Sequence, residues 1–333
     1  MALDNVYKAL FFLQSTAFLL FILYYFQQSD IIRAPAVMRK SPCICLHNHT
    51  RTIRMPPCKE LLLRGRLSNC TWGDISSRPG VMLLTSTNLA FLDMTMNMLE
   101  SIKRTRVCVN TTIIAEDEKV YEYLWKRAEG DPGVWVVKTS SGYINSKEIL
   151  RRNPKQYYEM MNKRQAYILT YLEQGWEILF TDTDTFWFRD PFPFFEGNFD
   201  ISLIDSANPF GVRNRQSNFC AGFVYFKPTS ATLQFVQTWI QSMKTYGWMR
   251  SDQTVMNGLL YWDKPVHIDI KPLDTNIFPW GPKFYNLLAK KANYSTVVMH
   301  AASIRGHAAK VASFKSSNMW LINATSQELL HIS

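Results

Sequence analysis

The amino-acid sequence predicts an α/β protein in which a mostly parallel sheet is flanked by helices, preceded by an N-terminal transmembrane helix. Two observations predict this arrangement. From residue 80 onward, short apolar runs alternate with helical patterns, which is typical of parallel strands connected by helices. An uncharged apolar segment also occupies residues 9–26. Because 47% of the 333 residues are hydrophobic and 14% are aromatic, we expect an ordered globular body rather than a disordered chain.

The apolar segment 9–26 follows a short tail, residues 1–8, and is about long enough to span a hydrocarbon core of ~30 Å. It exceeds the usual apolar region of a signal peptide, and no small-residue cleavage site follows closely. These features favour an uncleaved signal-anchor. The flanking charges, with Lys8 before the segment and Arg33 and Arg39 after it, do not by themselves support a cytosolic N-terminus.

N-glycosylation sequons indicate where the rest of the chain resides. All five follow the apolar segment, and they begin at Asn48, Asn69, Asn110, Asn293 and Asn323. Together with six cysteines, they favour a lumenal body in an oxidising compartment. We therefore expect a single-pass type II membrane protein.

Residues 27–79 read as a stem and a Cys-rich cap, because they are rich in Pro, Arg, Ser and Cys and lack sustained periodicity. Cysteines 43 and 45 alternate with His47 and His49 in a way that could suggest a metal site. The spacing matches no standard zinc pattern, so disulfides are favoured. Their connectivity is open, and four of the six cysteines lie in this stretch: Cys43, Cys45, Cys58 and Cys70.

Residues 80–333 form the predicted catalytic domain. Strands are predicted at 81–87, 111–116, 134–139, 177–180, 201–204, 222–227, 266–270 and 296–300. Helices are predicted near 90–104, 117–128, 229–246 and 252–261, and one more between Pro154 and Gly175.

The formal charge of +10 is spread over scattered basic pairs, without a long basic run or a nucleic-acid-binding motif. We therefore do not expect nucleic acid as a partner. An anionic small molecule or membrane surface remains compatible with this charge.

Asp182 and Asp184 follow the apolar strand 177–180. In an extended chain, residues i and i+2 point to the same side, so both carboxylates could face one cleft while Thr183 faces away. Ligands bind at the carboxyl ends of parallel strands in open sheets, and carboxylates suit Mg²⁺ or Mn²⁺. An Asp-x-Asp triplet alone is a weak signal, since a solvated turn would look the same.

The run GWEILFTDTDTFWFRDPFPFF at 175–195 resembles the nucleotide-diphospho-sugar transferase domain family, which includes plant xylosyl- and arabinosyltransferases. Shorter matches follow at Asn218 to Phe223, at Asp252-Gln253 and from His300 to Lys310. The resemblance covers roughly residues 80–325.

The resemblance implies a GT-A type, Rossmann-like fold, a nucleotide-sugar donor such as a UDP-sugar, and a metal site. By it, Asp184 binds the metal, Asp182 binds the metal or the donor ribose, and His300 is the third protein ligand. Alternatively, His300 could be a structural histidine at the end of a strand, hydrogen-bonded to a backbone group. An imidazole beside carboxylates favours Mn²⁺ over Mg²⁺.

Further residues are candidates for binding the donor. Gly306 and Lys310 would lie on a loop over the diphosphate, although Ala301-Ala302-Ser303 replaces the expected Asn-rich stretch. A basic residue in the preceding helix could face the phosphates, while a solvated helix face is the alternative. The remaining candidates are Lys163 and Arg164 in that helix, Thr85 and Asn88 for the nucleoside, and Asn218, Gly222 and Asp252 for the sugar and acceptor.

The predicted reaction is glycosyl transfer to a glycan or glycoprotein acceptor. The resemblance implies retention of anomeric configuration, in which a donor phosphate oxygen could accept the acceptor proton. An inverting enzyme would instead need a carboxylate base, and Asp252 or Asp205 could serve as that base. Two alternatives stay open: a catalytically inactive lumenal sugar-binding protein on the same fold, and a metal-dependent phosphohydrolase. We expect the Golgi membrane in preference to the endoplasmic reticulum.

Overall fold

The protein is described from a computed structural model. The structure describes residues 66–139, 161–207, 217–246, 250–263, 266–293 and 295–331. The predicted signal-anchor at 9–26, Cys43, Cys45 and Cys58 lie outside these residues. Within the described part, no helix has both the length and the apolar character needed to cross a membrane.

A seven-stranded sheet forms the centre of the fold, with strand order β3-β2-β1-β4-β7-β6-β8. β1 pairs in parallel with both β2 and β4, β2 with β3, and β6 with β8. β7 runs antiparallel to its neighbours β4 and β6. The expectation of a mostly parallel sheet is thus confirmed. The strands are β1 Val81–Thr87, β2 Asn110–Ala115, β3 Val134–Lys138, β4 Glu177–Thr181, β6 Ile201–Asp205, β7 Phe219–Phe226 and β8 Ile270–Leu273.

The central strands are apolar on both faces because helices cover the sheet. All eight residues of β7 are buried, and Leu83, Ile113 and Leu179 are fully buried in neighbouring strands. This explains why these strands read in the sequence as continuous apolar runs rather than as alternating patterns.

Within the described residues, nine α-helices connect and flank the strands. Their ends carry expected signals: Asp117 caps α3 by accepting a hydrogen bond from Val120 N, and α2 ends at Arg106, which adopts the left-handed conformation. The helices are α1 Trp72–Ser76, α2 Leu92–Thr105, α3 Glu118–Ala128, α4 Arg164–Leu172, α5 Ser230–Tyr246, α6 Asp252–Gly258, α7 Gly281–Ala289, α8 His307–Ser316 and α9 Ser326–His331.

The sequence pattern does not predict α1, α7, α8 or α9. It also placed a strand at 266–270, whereas β8 begins only at Ile270. α8 shows the reason for such a miss, since Phe314 is its buried residue and one apolar anchor gives no helical periodicity.

A second, two-stranded sheet carries part of the candidate site. β5 (Thr185–Trp187) pairs antiparallel with β9 (Val298–His300), so that Thr185 lies opposite His300. The sequence pattern predicts β9 but not β5, which is only three residues long. This pairing brings the end of β9 to the residues that follow β4.

The described part of the predicted cap, residues 66–79, packs against the body. Leu67 and Ile75 are buried. Cys70 forms a disulfide with Cys108, 38 residues later in the chain. Disulfide formation was expected for Cys70, but its partner lies in the predicted catalytic domain, just before β2.

Candidate metal and donor site

Residues Asp182, Thr183 and Asp184 form the turn between β4 and β5. Backbone hydrogen bonds hold this turn on both sides: Asp182 N donates to Gly222 O at 2.7 Å, and Ala301 N donates to Asp184 O at 2.9 Å. The expectation that Thr183 faces away was wrong. Because the triplet turns instead of continuing the strand, all three residues line the same cavity.

His300 completes a cluster with the two aspartates. Its Nε2 lies 3.2 Å from Asp184 Oδ1 and 3.6 Å from Asp182 Oδ2. One ligand atom from each of the three residues lies within 4.8 Å of the others. We refer to Asp182, Asp184 and His300 as the Asp-Asp-His cluster. On its other side, His300 Nδ1 lies 3.4 Å from the sulfur of Cys220, a buried free cysteine.

Gly222 on β7 leaves the space that the cluster occupies. A Cβ atom at this position would lie 2.1 Å from Asp182 Oδ2 and 2.5 Å from His300 Cε1, which is closer than non-bonded atoms approach. The missing side chain therefore leaves room for the Asp182 carboxylate and the His300 ring, which with the Asp184 carboxylate bring two oxygen donors and one nitrogen donor together. This donor set is of the kind that Mn²⁺ accepts, so the residues present fit a divalent metal ion.

Two basic side chains reach the aspartates. Lys310 Nζ donates to Asp184 Oδ2 at 2.5 Å. Arg164 donates from Nη1 to Asp182 Oδ1 at 2.9 Å and also forms an ion pair with Asp252. The predicted loop position of Lys310 was wrong: this residue lies in the first turn of α8, and Gly306 immediately precedes that helix.

Arg164 is buried at the start of α4, so its charge needs buried partners. Asp252, at the start of α6, supplies one of them and also accepts a hydrogen bond from Gln165 Nε2 at 3.1 Å. The indole of Trp239 donates to the Asp252 backbone carbonyl at 3.0 Å. Asp252 is therefore held by several contacts and in turn orients Arg164 toward Asp182.

Burial and neighbouring charges shift the pKa values of the three cluster residues in different ways. Burial raises the pKa of Asp182, although Arg164 and His300 oppose the shift. Burial also raises the pKa of Asp184, but Lys310 and His300 outweigh it and hold this pKa well below its usual range. Burial lowers the pKa of His300, but Cys220 and Asp184 outweigh burial and hold it well above the usual value. Asp184 is thus ionised, and cationic groups surround it.

The cavity in front of the cluster extends toward the ends of β1 and β2. Asn88, Arg164 and Lys310, all candidates from the sequence, line it. Five other lining residues were not predicted, because nothing in the local sequence marks the wall of a distant cavity. These are Ser86, Thr87, Phe91, Glu116 and Met161.

The remaining sequence candidates take different positions. Thr85 is fully buried, and its hydroxyl donates to Thr181 O at 2.8 Å. Asn218 is exposed and its side chain donates to Ser206 Oγ. Lys163 is half-buried directly before α4. Asp205, named as an alternative base, is buried and accepts from Asn218 N at 2.8 Å.

Comparison with known proteins gives the family context for this geometry. The sequence model of a family described as nucleotide-diphospho-sugar transferase matches residues 106–314. That range is more than half of the chain and includes Asp182, Asp184, Gly222 and His300.

Curated relatives from two organisms are similar over most of the chain. A UDP-D-xylose:L-fucose alpha-1,3-D-xylosyltransferase from Arabidopsis thaliana is 25% identical over 73% of this chain and 70% of its own length. A UDP-galactose:fucoside alpha-3-galactosyltransferase from Dictyostelium discoideum is 26% identical over 71% of this chain and 42% of its own length. Among solved structures, the glycosyltransferase GlyE of Streptococcus pneumoniae is 12% identical with a TM-score of 0.44, over 75% of this chain and 63% of that one.

Proposed function

Because the chain belongs to the nucleotide-diphospho-sugar transferase family, we propose that it transfers a sugar from a UDP-sugar to a glycan or glycoprotein acceptor with the help of a divalent metal ion. Nucleotide-sugar-dependent glycosyl transfer follows from the family and the named relatives. The metal requirement is the further step. The observation that carries it is the convergence of Asp182, Asp184 and His300, with Gly222 leaving the space that Asp182 and His300 occupy.

The Asp-Asp-His cluster would hold the ion, and its mixed oxygen and nitrogen donors favour Mn²⁺ over Mg²⁺. When bound, such an ion supplies Lewis-acid stabilisation of the charge that develops on the departing nucleoside diphosphate. Cys220 and the Ala301 backbone orient the cluster residues from behind, through contacts with His300 and with the Asp184 carbonyl. Such outer contacts usually tune how well a site binds its metal.

The donor would lie in the cavity in front of this cluster. The nucleoside would contact Asn88 and Phe91, and the diphosphate would lie near Lys310. Arg164, fixed between Asp182 and Asp252, is placed to orient the transferred sugar or a phosphate oxygen. Both basic residues would then stabilise negative charge from fixed positions, which lowers the energy of the transition state without rearrangement of the protein.

Retention of anomeric configuration is supported by the contacts of Asp252. One carboxylate oxygen accepts bonds from Arg164 and Gln165, and the other accepts the backbone N–H of Gln253 at 2.8 Å. A carboxylate engaged on both oxygens is a poor candidate for the general base that an inverting reaction requires. Asp252 is better suited to position Arg164.

The named relatives suggest the substrates to test first. One transfers xylose from UDP-xylose to fucose, and the other transfers galactose from UDP-galactose to a fucoside. Both form an alpha-3 linkage. We therefore favour UDP-xylose and UDP-galactose as donors and a terminal fucose as the acceptor.

The deciding experiment measures donor turnover by the purified full-length chain with Mn²⁺, with Mg²⁺ and after chelation. Asp184→Asn removes the charge that would bind the ion while keeping the size of the side chain, so donor turnover should fall roughly a thousandfold. Asp182→Asn should lower donor turnover less than Asp184→Asn does. His300→Ala should change the metal preference before it abolishes turnover. The control is Asp269→Asn, since the Asp269 side chain is 72% exposed.

Metal-stimulated turnover near the wild-type rate in the Asp184→Asn protein would refute the proposed metal site. Absence of any donor turnover by the wild-type chain, tested with UDP-xylose, UDP-galactose and other UDP-sugars, would instead favour an inactive sugar-binding protein.

The proposed reaction takes place in the Golgi lumen, with residues 9–26 as the membrane anchor. The Cys70–Cys108 disulfide supports an oxidising compartment. Two of the sequon asparagines, Asn69 and Asn323, are exposed on the described surface and could carry glycans.

A further inference from the structure

His307 and Asp93 join two parts of the protein that border the donor cavity. His307 is the first residue of α8, and its Nε2 lies 2.8 Å from Asp93 Oδ1 in the first turn of α2. The His307 ring also lies beside the ring of Phe91, with 6.2 Å between their centroids. Phe91 lines the cavity, so the contact connects one wall of the cavity with the helix that carries Lys310.

Asp93 is a firm anchor for this contact. It is only 4% exposed, and Oδ1 also accepts the backbone N–H of Met94 at 2.8 Å. The Asp93 backbone N–H donates to Ser326 Oγ at 3.0 Å. A buried carboxylate stabilises a hydrogen-bond donor more strongly than an exposed one does.

The N-terminal end of α8 depends on side-chain contacts of this kind. The buried residue of the helix, Phe314, lies two turns further along, where its ring packs against Phe186 and Trp320. The chain enters α8 through Gly306, whose φ of +89° is rarely adopted by other residues, and nothing lies within 4 Å of a Cβ placed there. Such an entry does little to fix the direction in which the helix begins.

We infer that the Asp93–His307 contact, which is not itself part of the donor site, positions α8 so that Lys310 reaches the donor diphosphate. His307 and Lys310 are three residues apart and therefore neighbours on one side of the helix. Fixing His307 to α2 fixes the separation between Lys310 and the wall formed by Asn88 and Phe91. The inference rests on the proposed function, in which Lys310 binds the diphosphate.

The test measures binding of UDP to the full-length protein by calorimetry, together with the KM for the donor and kcat. His307→Ala should weaken UDP binding and raise the KM about tenfold, the effect of losing ~1.4 kcal/mol, while kcat changes little. His307→Gln keeps an N–H donor and should recover most of the affinity. Lys315→Ala, an exposed change at the other end of α8, should bind UDP as the wild type does.

A double-mutant comparison assigns the effect to Lys310. If His307 acts through Lys310, then His307→Ala should cause no further loss of UDP affinity in a Lys310→Ala protein. Amide hydrogen exchange in α8 should become faster in His307→Ala, with an unchanged circular dichroism spectrum. These last two measurements separate a local change at α8 from general unfolding.

Three outcomes would overturn the inference. If Lys310→Ala weakens UDP binding but His307→Ala does not, the contact has no positioning role and the proposed function stands. If His307→Ala lowers the UDP affinity equally in the wild-type and the Lys310→Ala proteins, His307 does not act through Lys310. If neither substitution affects UDP binding, the proposed role of Lys310 fails as well.

Discussion

Single residues determine what the candidate site can hold, and Gly222 does so by lacking a side chain. The cluster residues around it come from the β4–β5 turn and from β9, and the Asp182 carboxylate and the His300 ring occupy the space in which a Cβ would lie. The charged residues are interdependent as well, since Arg164 is buried between Asp182 and Asp252. Small changes at Gly222 should therefore affect metal binding directly.

Substitution of Gly222 by alanine tests this directly. The added Cβ would lie 2.1 Å from Asp182 Oδ2, so the aspartate must move away from His300. We expect the affinity for Mn²⁺ to fall about 10- to 100-fold, as for other changes around metal ligands. The affinity is measured from the electron paramagnetic resonance signal of the free ion. Gly73→Ala is the matched control, because its nearest neighbour atom is 3.7 Å away. Unchanged Mn²⁺ affinity in Gly222→Ala would argue against the cluster as a metal site.

Among the secondary-structure elements, the shortest have the largest effect on the site. β5 and β9 contain three residues each, yet their pairing places His300 opposite Thr185, next to Asp184. α1 is likewise short, but the disulfide that precedes it links the described part of the predicted cap to the chain just before β2.

The disulfide should contribute substantially to the stability of the body. In the chain-entropy description, closing a loop of 38 residues stabilises the folded state by about 4 kcal/mol. We expect the Cys70→Ser/Cys108→Ser protein to melt several degrees below the wild type in differential scanning fluorimetry. Adding a reductant should lower the melting temperature of the wild type toward that of the variant. Identical melting temperatures for the two proteins without reductant would contradict this expectation.

At the scale of the whole molecule, the arrangement of the chain relative to the membrane remains a prediction from the segment 9–26 and the sequons. The sequon asparagines in the described residues differ in accessibility. Asn69 and Asn323 are exposed, whereas Asn110 and Asn293 are half-buried. Asn110 also belongs to β2, inside the sheet. We expect the exposed sites to carry most of the glycan.

Expression in animal cells tests this topology. Treatment with a glycosidase that removes N-glycans should increase the electrophoretic mobility of the full-length protein. Replacing both Asn69 and Asn323 with glutamine should reduce that shift, because neither site can then be modified. Asn286→Gln, an exposed asparagine outside any sequon, should leave the shift unchanged. A protein without a shift, whose C-terminus is cleaved by protease added from the cytosolic side, would refute the lumenal topology.

Much of the fold could be predicted from the sequence because its signals are local. Apolar runs such as 81–87 and the helical pattern near 229–246 place strands and helices without knowledge of distant residues. The same holds for Asp182 and Asp184, which directly follow a buried strand. The family motif around them then suggested His300 and Lys310, although it did not place Lys310 on a helix.

The amino-acid sequence by itself thus determined the α/β class, the order of most elements, the acidic pair and its family. Only the tertiary structure decided that Arg164 joins Asp182 to Asp252, that Cys70 pairs with Cys108, and that His307 contacts Asp93. The partners in these contacts are separated by between 18 and 214 residues. Residues so far apart meet only through strand order and helix packing, which depend on the interactions of the whole chain rather than on any local pattern.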